Sequence, residues 1–139
     1  MEHINDILIL NYIPQRPPFV MIDTIIKADD AESKTSFSIR EGHLFVADGY
    51  FTEPGLIENM AQTAAAGTGF RAHQSGSPAP IGFIGALKNL TIVRLPKVNS
   101  IISTTVRFGM QVMNAHIVNA SVEENGTEIA SCELKIFIQ

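Results

Sequence analysis

The chain has 139 residues, of which 45% are hydrophobic and 17% are charged, and its formal net charge is −4. This length predicts a single domain, residues 1–139, with a sizeable core, and the composition is too apolar for an intrinsically disordered chain. The acidic balance argues against a nucleic-acid partner, because there is no basic stripe to displace counterions from phosphates.

The cysteine count and the N-terminal residues bear on disulfide bonds, cellular location and membrane association. The single cysteine, Cys132, excludes an internal disulfide and a cysteine metal cage, which fits a cytoplasmic location. Residues 7–10 form a short apolar run, but acidic residues flank it and no signal-peptide pattern follows. No apolar stretch reaches the ~20 residues that a membrane-spanning helix needs, so no membrane association is expected.

The first part of the chain predicts a short helix, two strands and a loop. Residues 3–11 are amphipathic and predict a helix, and the three prolines within residues 14–18 exclude regular structure after it. Residues 19–27 are rich in β-branched and large apolar side chains and predict a strand. Residues 34–40 alternate between polar and apolar and predict a second strand with one wet face. Residues 41–51, which contain two glycines, predict a loop.

After the loop the periodicity becomes that of a helix. Thr52 is predicted as the N-cap, and Pro54 suits the first turn, where its missing N–H costs nothing. From residue 54 to about residue 73, apolar residues recur at three- and four-residue spacing. Residues 64–69 read AAAGTG and carry almost no side chains. Because each glycine weakens a helix by ~1 kcal/mol relative to alanine, we expect this half to pack closely against a curved sheet.

The rest of the chain predicts four strands, at residues 81–93, 100–111, 114–123 and 128–138. Residues 94–99 form a break, and residues 124–127 carry the Asn-Gly signal of a hairpin. The last strand alternates cleanly except at Cys132, whose face the pattern leaves open. A single long apolar helix with strands on both sides in the sequence is best buried by an antiparallel sheet that curls around it, which predicts an α+β fold.

Three segments resemble the β-hydroxyacyl-ACP dehydratases of fatty-acid synthesis, a family with the hotdog fold. Residues 13–23 (IPQRPPFVMID) are similar to the family opening L-P-H-R-x-P-F-L-L-V-D, and residues 56–62 (LIENMAQ) are similar to the family helix start L-I-x-E-A-M-A-Q. Residues 82–96 resemble the family strand that ends in a basic residue and proline. The resemblance implies a hotdog fold, with a curved antiparallel sheet wrapped around one long central helix. It also implies dehydration of 3-hydroxyacyl thioesters, as acyl-ACP or acyl-CoA, to trans-2-enoyl thioesters in fatty-acid or polyene-type synthesis.

The loop before the helix departs from this family. Typical members carry G-H-F-P-G there, and its histidine is the catalytic base, whereas residues 41–51 read EGHLFVADGYF. One alignment, which we favour, places Asp48 at the histidine position, with several residues missing afterwards. The other matches His43 to the histidine, nearly keeping the spacing to Glu58 but losing F-P-G. A shortened loop of this kind resembles the divergent dehydratase-like proteins of aryl polyene pathways.

The chemistry of dehydration assigns roles to residues at the start of the helix. The reaction needs a base, an acid, and donors that stabilise charge on the thioester oxygen. Glu58 is the candidate acid/base carboxyl group, and the alternative is a glutamate that complements the helix dipole. Gly55 and Leu56 would offer backbone N–H groups to the thioester oxygen, with the glycine allowing close approach of the substrate. Gln62 would orient Glu58, bond across a dimer interface, or serve as a satisfied buried amide.

The other candidate residues keep two interpretations each. His43 is either the base, reaching Glu58 across a dimer, or an exposed loop histidine, and Asp48 is either the base or an ordinary Asp-Gly turn residue.

Phe83 and Gly85, on the strand after the helix, are placed in the substrate tunnel by the resemblance. The four histidines lack metal-ligand spacing, so no metal is predicted. No cofactor is predicted beyond the phosphopantetheine that the substrate carries.

Expected partners follow from the sheet edge and from the altered loop. A hotdog sheet edge invites continuous pairing across a two-fold axis, so we expect a homodimer with the acyl tunnel between protomers. If the histidine is missing, a hetero-oligomer with a second dehydratase-like subunit would supply it, and this chain alone would be catalytically incomplete. A hotdog acyl-thioesterase, with water as nucleophile, is the third interpretation. Four basic side chains have two interpretations. They either bind a phosphate or an acidic carrier protein, or they are scattered surface charges: Arg71, Lys88, Arg94 and Lys97.

Overall fold

A computed structural model of the chain describes residues 9–138. The predicted helix at residues 3–11 lies almost entirely outside the described residues. The elements in chain order are β1 (Thr24–Ala28), β2 (Glu32–Ser38), β3 (Val46–Ala47), β4 (Tyr50–Phe51), α1 (Glu53–Gln74), β5 (Gly82–Ile92), β6 (Ile101–Val112), β7 (Ala115–Glu124) and β8 (Thr127–Ile138).

Six strands form one antiparallel sheet in the order β1-β2-β6-β7-β8-β5, and β3 pairs with β4 in a separate small hairpin. The helix α1 packs on one face of the large sheet, and strands β1 and β5 are its two edges. Along β2 the side chains of Ser33, Thr35 and Phe37 are buried and the ones between them are not, as the predicted alternation requires. The architecture is the predicted hotdog fold.

The close packing expected from the helix glycines is confirmed. A Cβ atom on Gly67 would lie 2.5 Å from the Cβ atom of Ser33 on β2, and one on Gly69 would overlap the carbonyl oxygen of Tyr12. No side chain fits at either position, so both glycines allow α1 to approach its neighbours more closely than alanine would.

The first predicted strand begins five residues late, at Thr24 instead of residue 19. The backbone groups before it bond to side chains of α1 and not to a neighbouring strand. The N–H of Met21 donates to Oε1 of Gln62 at 2.7 Å, and its carbonyl oxygen accepts from Nδ2 of Asn59, also at 2.7 Å. The apolar composition of this segment correctly predicted its burial. Its backbone N–H and C=O groups, however, bond to side chains of a helix and not to a neighbouring strand.

The segment predicted as a loop, residues 41–51, contains the β3–β4 hairpin. Asp48 and Gly49 form its two-residue turn with positive φ values of 53° and 82°, which Asp-Gly pairs tolerate. Thr52 occupies the N-cap position of α1 as predicted, but it makes no side-chain cap. Its hydroxyl group donates instead to the carbonyl oxygen of Phe45 at 2.8 Å, so it ties the hairpin to the helix start.

The structure also decides which face of β8 carries Cys132. A register shift opposite Val122 leaves Ile129 as an extra residue, and both Ile129 and Ala130 are buried. The alternation resumes after this bulge with Cys132 and Leu134 in the core. The predicted Asn-Gly hairpin before β8 is confirmed, with Asn125 and Gly126 at φ 53° and 79°. Within residues 9–138, no helix is both long and apolar enough to cross a membrane.

Candidate functional site

A cavity of about 450 Å³ lies between α1 and the sheet. The helix packs mainly on β1, β2 and β6 and less on β7 and β5, which leaves a gap over the β7-β8-β5 side. The helix contributes a stripe of mostly small residues to the wall: Glu58, Ala61, Ala64, Ala65, Thr68 and Arg71. The sheet and the connections contribute Pro14, Gln15, Pro80, Gly82, Phe83, Ile84, Phe108, His116, Val118, Ile136 and Ile138.

Polar groups lie at both ends of this cavity. Glu58 is in the second turn of α1 and Arg71 is in its last turn, a separation of about 20 Å at the rise of an α-helix. The guanidinium group of Arg71 lies 4.9 Å from the ring centroid of Phe108 on β6. Phe108 pairs with Val118 on β7, and His116 lies two residues farther along that strand on the same face. Arg71 and His116 therefore mark the end of the cavity that lies away from Glu58.

Glu58 is linked to a fully buried amide one turn later. Nε2 of Gln62 donates to Oε1 of Glu58 at 3.3 Å, which is a long hydrogen bond. The same amide donates to the carbonyl oxygen of Phe19 and accepts from the N–H of Met21, both at 2.7 Å. Gln62 is thus a satisfied buried amide that also contacts Glu58, and all of these contacts lie within one chain.

Sequence reasoning missed Asn59, which is fully buried beside Glu58. Its Nδ2 donates to the carbonyl oxygen of Met21 at 2.7 Å, and its Oδ1 accepts from the hydroxyl group of Thr104 at 2.5 Å. The signal was present in the motif, because the family helix start has alanine where this chain has asparagine. Asn59 joins the helix both to β6 and to the segment before β1.

His43 does not lie in the wall of the cavity, as far as residues 9–138 define it. Its Nδ1 accepts from the N–H of Phe45 at 3.2 Å, which places the proton of a neutral ring on Nε2. Nε2 then donates to the carbonyl oxygen of Val20 at 3.3 Å. The ring also packs edge-on against Phe37 and Phe51, with centroid distances of 5.5 and 5.7 Å. Within this chain, both ring nitrogens have backbone partners.

Asp48, the other candidate base, is an exposed residue of the β3–β4 turn. Its positive φ of 53° accounts for an aspartate followed by glycine at this place. The described part of the cavity wall does not include it.

Backbone amides at the start of α1 remain unbonded. The N–H of Leu56 donates to the carbonyl oxygen of Thr52 at 3.1 Å, whereas the N–H of Gly55 has no partner within residues 9–138. Gly55 is buried, and a Cβ atom there would lie 2.6 Å from the ring of Phe51 and 3.0 Å from the Cβ atom of Phe45. The glycine therefore makes room for two aromatic residues of the same chain.

The two tunnel candidates on β5 differ in position. Phe83 lines the cavity and is 53% exposed at the sheet edge. Gly85 is not in the described wall, and the ring of Phe137 covers it so closely that a Cβ atom would overlap the ring. Glycine at this position thus accommodates Phe137.

The four candidate cations do not form one surface. Arg71 lies in the cavity wall, and Arg94 pairs with Glu124 at 2.9 Å. Lys88 and Lys97 are exposed, on β5 and after it. Among residues 9–138, no three histidine, cysteine or acidic side chains come together as metal ligands would.

A family model shows the family of the chain, and solved structures show its fold. The family described as ApeP-like, ApeP dehydratase, matches residues 7–139. No curated protein sequence matches the chain. A solved dehydratase heterocomplex, ApeI:P from Xenorhabdus doucetiae, superposes with a TM-score of 0.86 at 18% identity, covering 94% of this chain and 90% of that chain.

Two other solved structures superpose less closely. A hypothetical thioesterase with coenzyme A from Streptococcus pneumoniae has a TM-score of 0.66 at 10% identity, covering 83% of this chain and 84% of that chain. The PaaI protein of the E. coli phenylacetic acid degradation operon has a TM-score of 0.65 at 11% identity, covering 81% of this chain and 80% of that chain. At these identities the solved structures show the fold alone.

Proposed function

The chain belongs to the ApeP-like dehydratase family, and from this premise we propose that it dehydrates 3-hydroxyacyl thioesters to trans-2-enoyl thioesters, with a second subunit completing its active site. The observation that carries the proposal is the position of Glu58. Of the described residues in the cavity wall, it is the one acidic side chain, and it stands near the start of a helix beside small apolar neighbours. Such a cavity suits an acyl chain whose reacting carbons lie at the Glu58 end.

The reaction removes a proton from C2 and hydroxide from C3 and releases them together as water. Glu58 would protonate the departing hydroxyl group, because a carboxylic acid at the cavity wall can donate along the C3–O bond. The thioester oxygen gains negative charge as the C2 proton leaves. The N–H of Gly55, which is unbonded within residues 9–138, is the donor we assign to that oxygen.

The base that removes the C2 proton is proposed to come from a partner chain. His43 would have to give up the N–H of Phe45 and the carbonyl oxygen of Val20 to serve as this base. Asp48 is an exposed turn residue. We therefore favour a hetero-oligomer with a second dehydratase-like subunit that supplies a histidine across the interface. A similar fold occurs in a heterocomplex described as ApeI:P, which supports looking for a partner of that class.

An assay with purified protein tests the proposal. A 3-hydroxyacyl thioester, on acyl carrier protein or on coenzyme A, is supplied to the chain alone and with a histidine-bearing dehydratase subunit. We expect enoyl product with both chains present, and a loss of at least about 100-fold in Glu58→Gln. Glu53→Gln is the matched control, because Glu53 lies in the same first part of α1 but is exposed. Dehydration that persists in Glu58→Gln would show that Glu58 is not the acid.

The same assay separates the thioesterase alternative. The feature that favours it is a carboxylate near a helix start in a hotdog fold, since water activated by such a carboxylate hydrolyses thioesters. Release of free thiol without enoyl product would support hydrolysis and count against dehydration. Activity of the chain without any partner would overturn the two-subunit site.

A further inference from the structure

The far end of the cavity holds a cationic side chain in a fixed position. Nη1 of Arg71 pairs with Asp30 at 3.0 Å, and the guanidinium group stacks over Phe108. Its Nε atom is buried and has no hydrogen-bond partner within residues 9–138. This Nε atom is covered by the protein itself, so it is the rest of the guanidinium group, in the residue that lines the cavity, that can donate to a bound oxygen atom.

Other polar groups accompany Arg71. His116 and Thr68 line the same part of the wall, and Oε1 of Gln15 is a second buried atom without a partner in the described part of the chain. Gln15 lies between Tyr12, which contacts α1 at Gly69, and Phe19, which bonds to α1 at Gln62, so it borders the middle of the helix. The wall between these groups and Glu58 is apolar and is formed by Ala61, Ala65, Val118 and Ile136.

We propose that Arg71 and His116 make this cavity select acyl thioesters that carry a hydrogen-bond-accepting oxygen near the far end of the chain. The inference rests on the proposed function, because it assumes that the thioester lies at the Glu58 end. A chain ending in a methyl group would cover the donors of Arg71 without pairing them, which costs binding free energy. A hydroxyl, carbonyl or carboxylate oxygen at the same place would accept from the guanidinium group. Arg71 and His116 are thus assigned as specificity-determining residues.

Binding measurements without turnover test this assignment. The probes are pantetheine thioethers that carry saturated chains of equal length and end in a methyl, a hydroxyl or a carboxylate group. Their dissociation constants for the full chain are measured by calorimetry. We expect an oxygen-ended probe to bind about tenfold more tightly than the methyl-ended probe, the effect of one well-placed hydrogen bond. Tighter binding of the carboxylate-ended probe alone would identify an anion as the preferred group. Tighter binding of both the hydroxyl-ended and the carboxylate-ended probe would identify an acceptor oxygen, whether neutral or charged.

Variants link the preference to the side chains. Arg71→Leu should abolish the difference between probes, and His116→Phe should reduce it. Asp30→Asn is the matched control, since it removes the exposed ion pair of Arg71 and leaves the guanidinium group in the wall. If Arg71→Leu does not fold, Arg71→Met offers the same comparison. Equal affinities in the wild-type chain, undetectable binding of all probes, or a preference that survives loss of Arg71 would overturn the proposal. Since no probe reacts, failure of the dehydration assay would count against the proposed function and not against this preference.

Discussion

Burial lowers the reactivity of the Cys132 thiol. Cys132 faces the core from β8, with its Sγ atom 3.7 Å from Sδ of Met60. Desolvation raises the pKa of this thiol to about 11. The thiolate is the reactive form, and at pH 8 only ~0.1% of such a thiol is ionised.

We expect the folded protein to react slowly with an aromatic disulfide reagent at pH 8 and to react fully in denaturant. Absorbance of the released thiol measures both rates. The denatured chain serves as the control, because it has the same thiol without burial. Rapid stoichiometric labelling of the folded protein would contradict the burial of Cys132.

At the same scale, Asp29 stabilises the β1–β2 turn. Its Oδ1 accepts from the N–H groups of Ala31 and Glu32, both at 2.8 Å. The hydrogen bonds from Glu32 and Ala31 lower the pKa of the Asp29 carboxyl group. The carboxylate therefore contributes to stability above its unfolded-state pKa, and this contribution is lost as the pH falls through the lowered folded-state pKa.

Replacement of this carboxylate should have a pH-dependent effect. We expect Asp29→Asn to be less stable than the wild type at pH 7 and equally stable once the pH is below the lowered pKa. Urea denaturation at both pH values measures the difference. Asp30→Asn, at the exposed neighbouring position, is the control. A destabilisation that is the same at both pH values would show that ionisation of Asp29 is not its cause.

At the scale of elements, α1 does more than fill the core. Asn59 and Gln62 hold the segment before β1 against the helix and so replace the strand pairing that its composition predicted. Because Gln62 also reaches Glu58, the position of the candidate acid depends on this junction.

Asn59→Ala should therefore destabilise the protein by about 2–4 kcal/mol, because it leaves the carbonyl oxygen of Met21 and the hydroxyl group of Thr104 without their buried partner. Chemical denaturation measures the change in the free energy of unfolding. Asn119→Ala, at an exposed position on β7, should change it by less than about 0.5 kcal/mol. Equal effects of the two substitutions would rule out a special role for the helix junction.

At the scale of the whole molecule, β5 is an edge strand with apolar side chains. Phe83 and Ile84 are 53% and 43% exposed, and both line the cavity. An edge of this kind is a template for pairing with another chain, and a second chain there would also cover the cavity.

We predict that Phe83→Asp prevents association, either of two copies or of this chain with a dehydratase-like partner. Light scattering coupled to size-exclusion chromatography measures the mass. Ile101→Asp is the control, because Ile101 is 63% exposed but lies on β6, inside the sheet. Unchanged mass in Phe83→Asp would place the interface elsewhere.

The sequence by itself determined the order of the central helix and the six strands of the large sheet, the length of that helix and the place of the Asn125-Gly126 hairpin, because helix and strand periodicities and turn preferences act over a few residues. It also predicted Glu58 as the candidate acid from a local motif. Only the tertiary structure decided that Gly55 and Gly85 lie against aromatic rings, and that both nitrogens of His43 are engaged by the backbone.

The cavity, too, was decided by the tertiary structure. Arg71 and His116 are 45 positions apart in the chain and line the same cavity because the sheet order places β7 beneath the end of α1. Such contacts depend on how the strands pair and where the helix rests on them. No pattern of neighbouring residues records that geometry, since every one of these contacts joins distant parts of the chain.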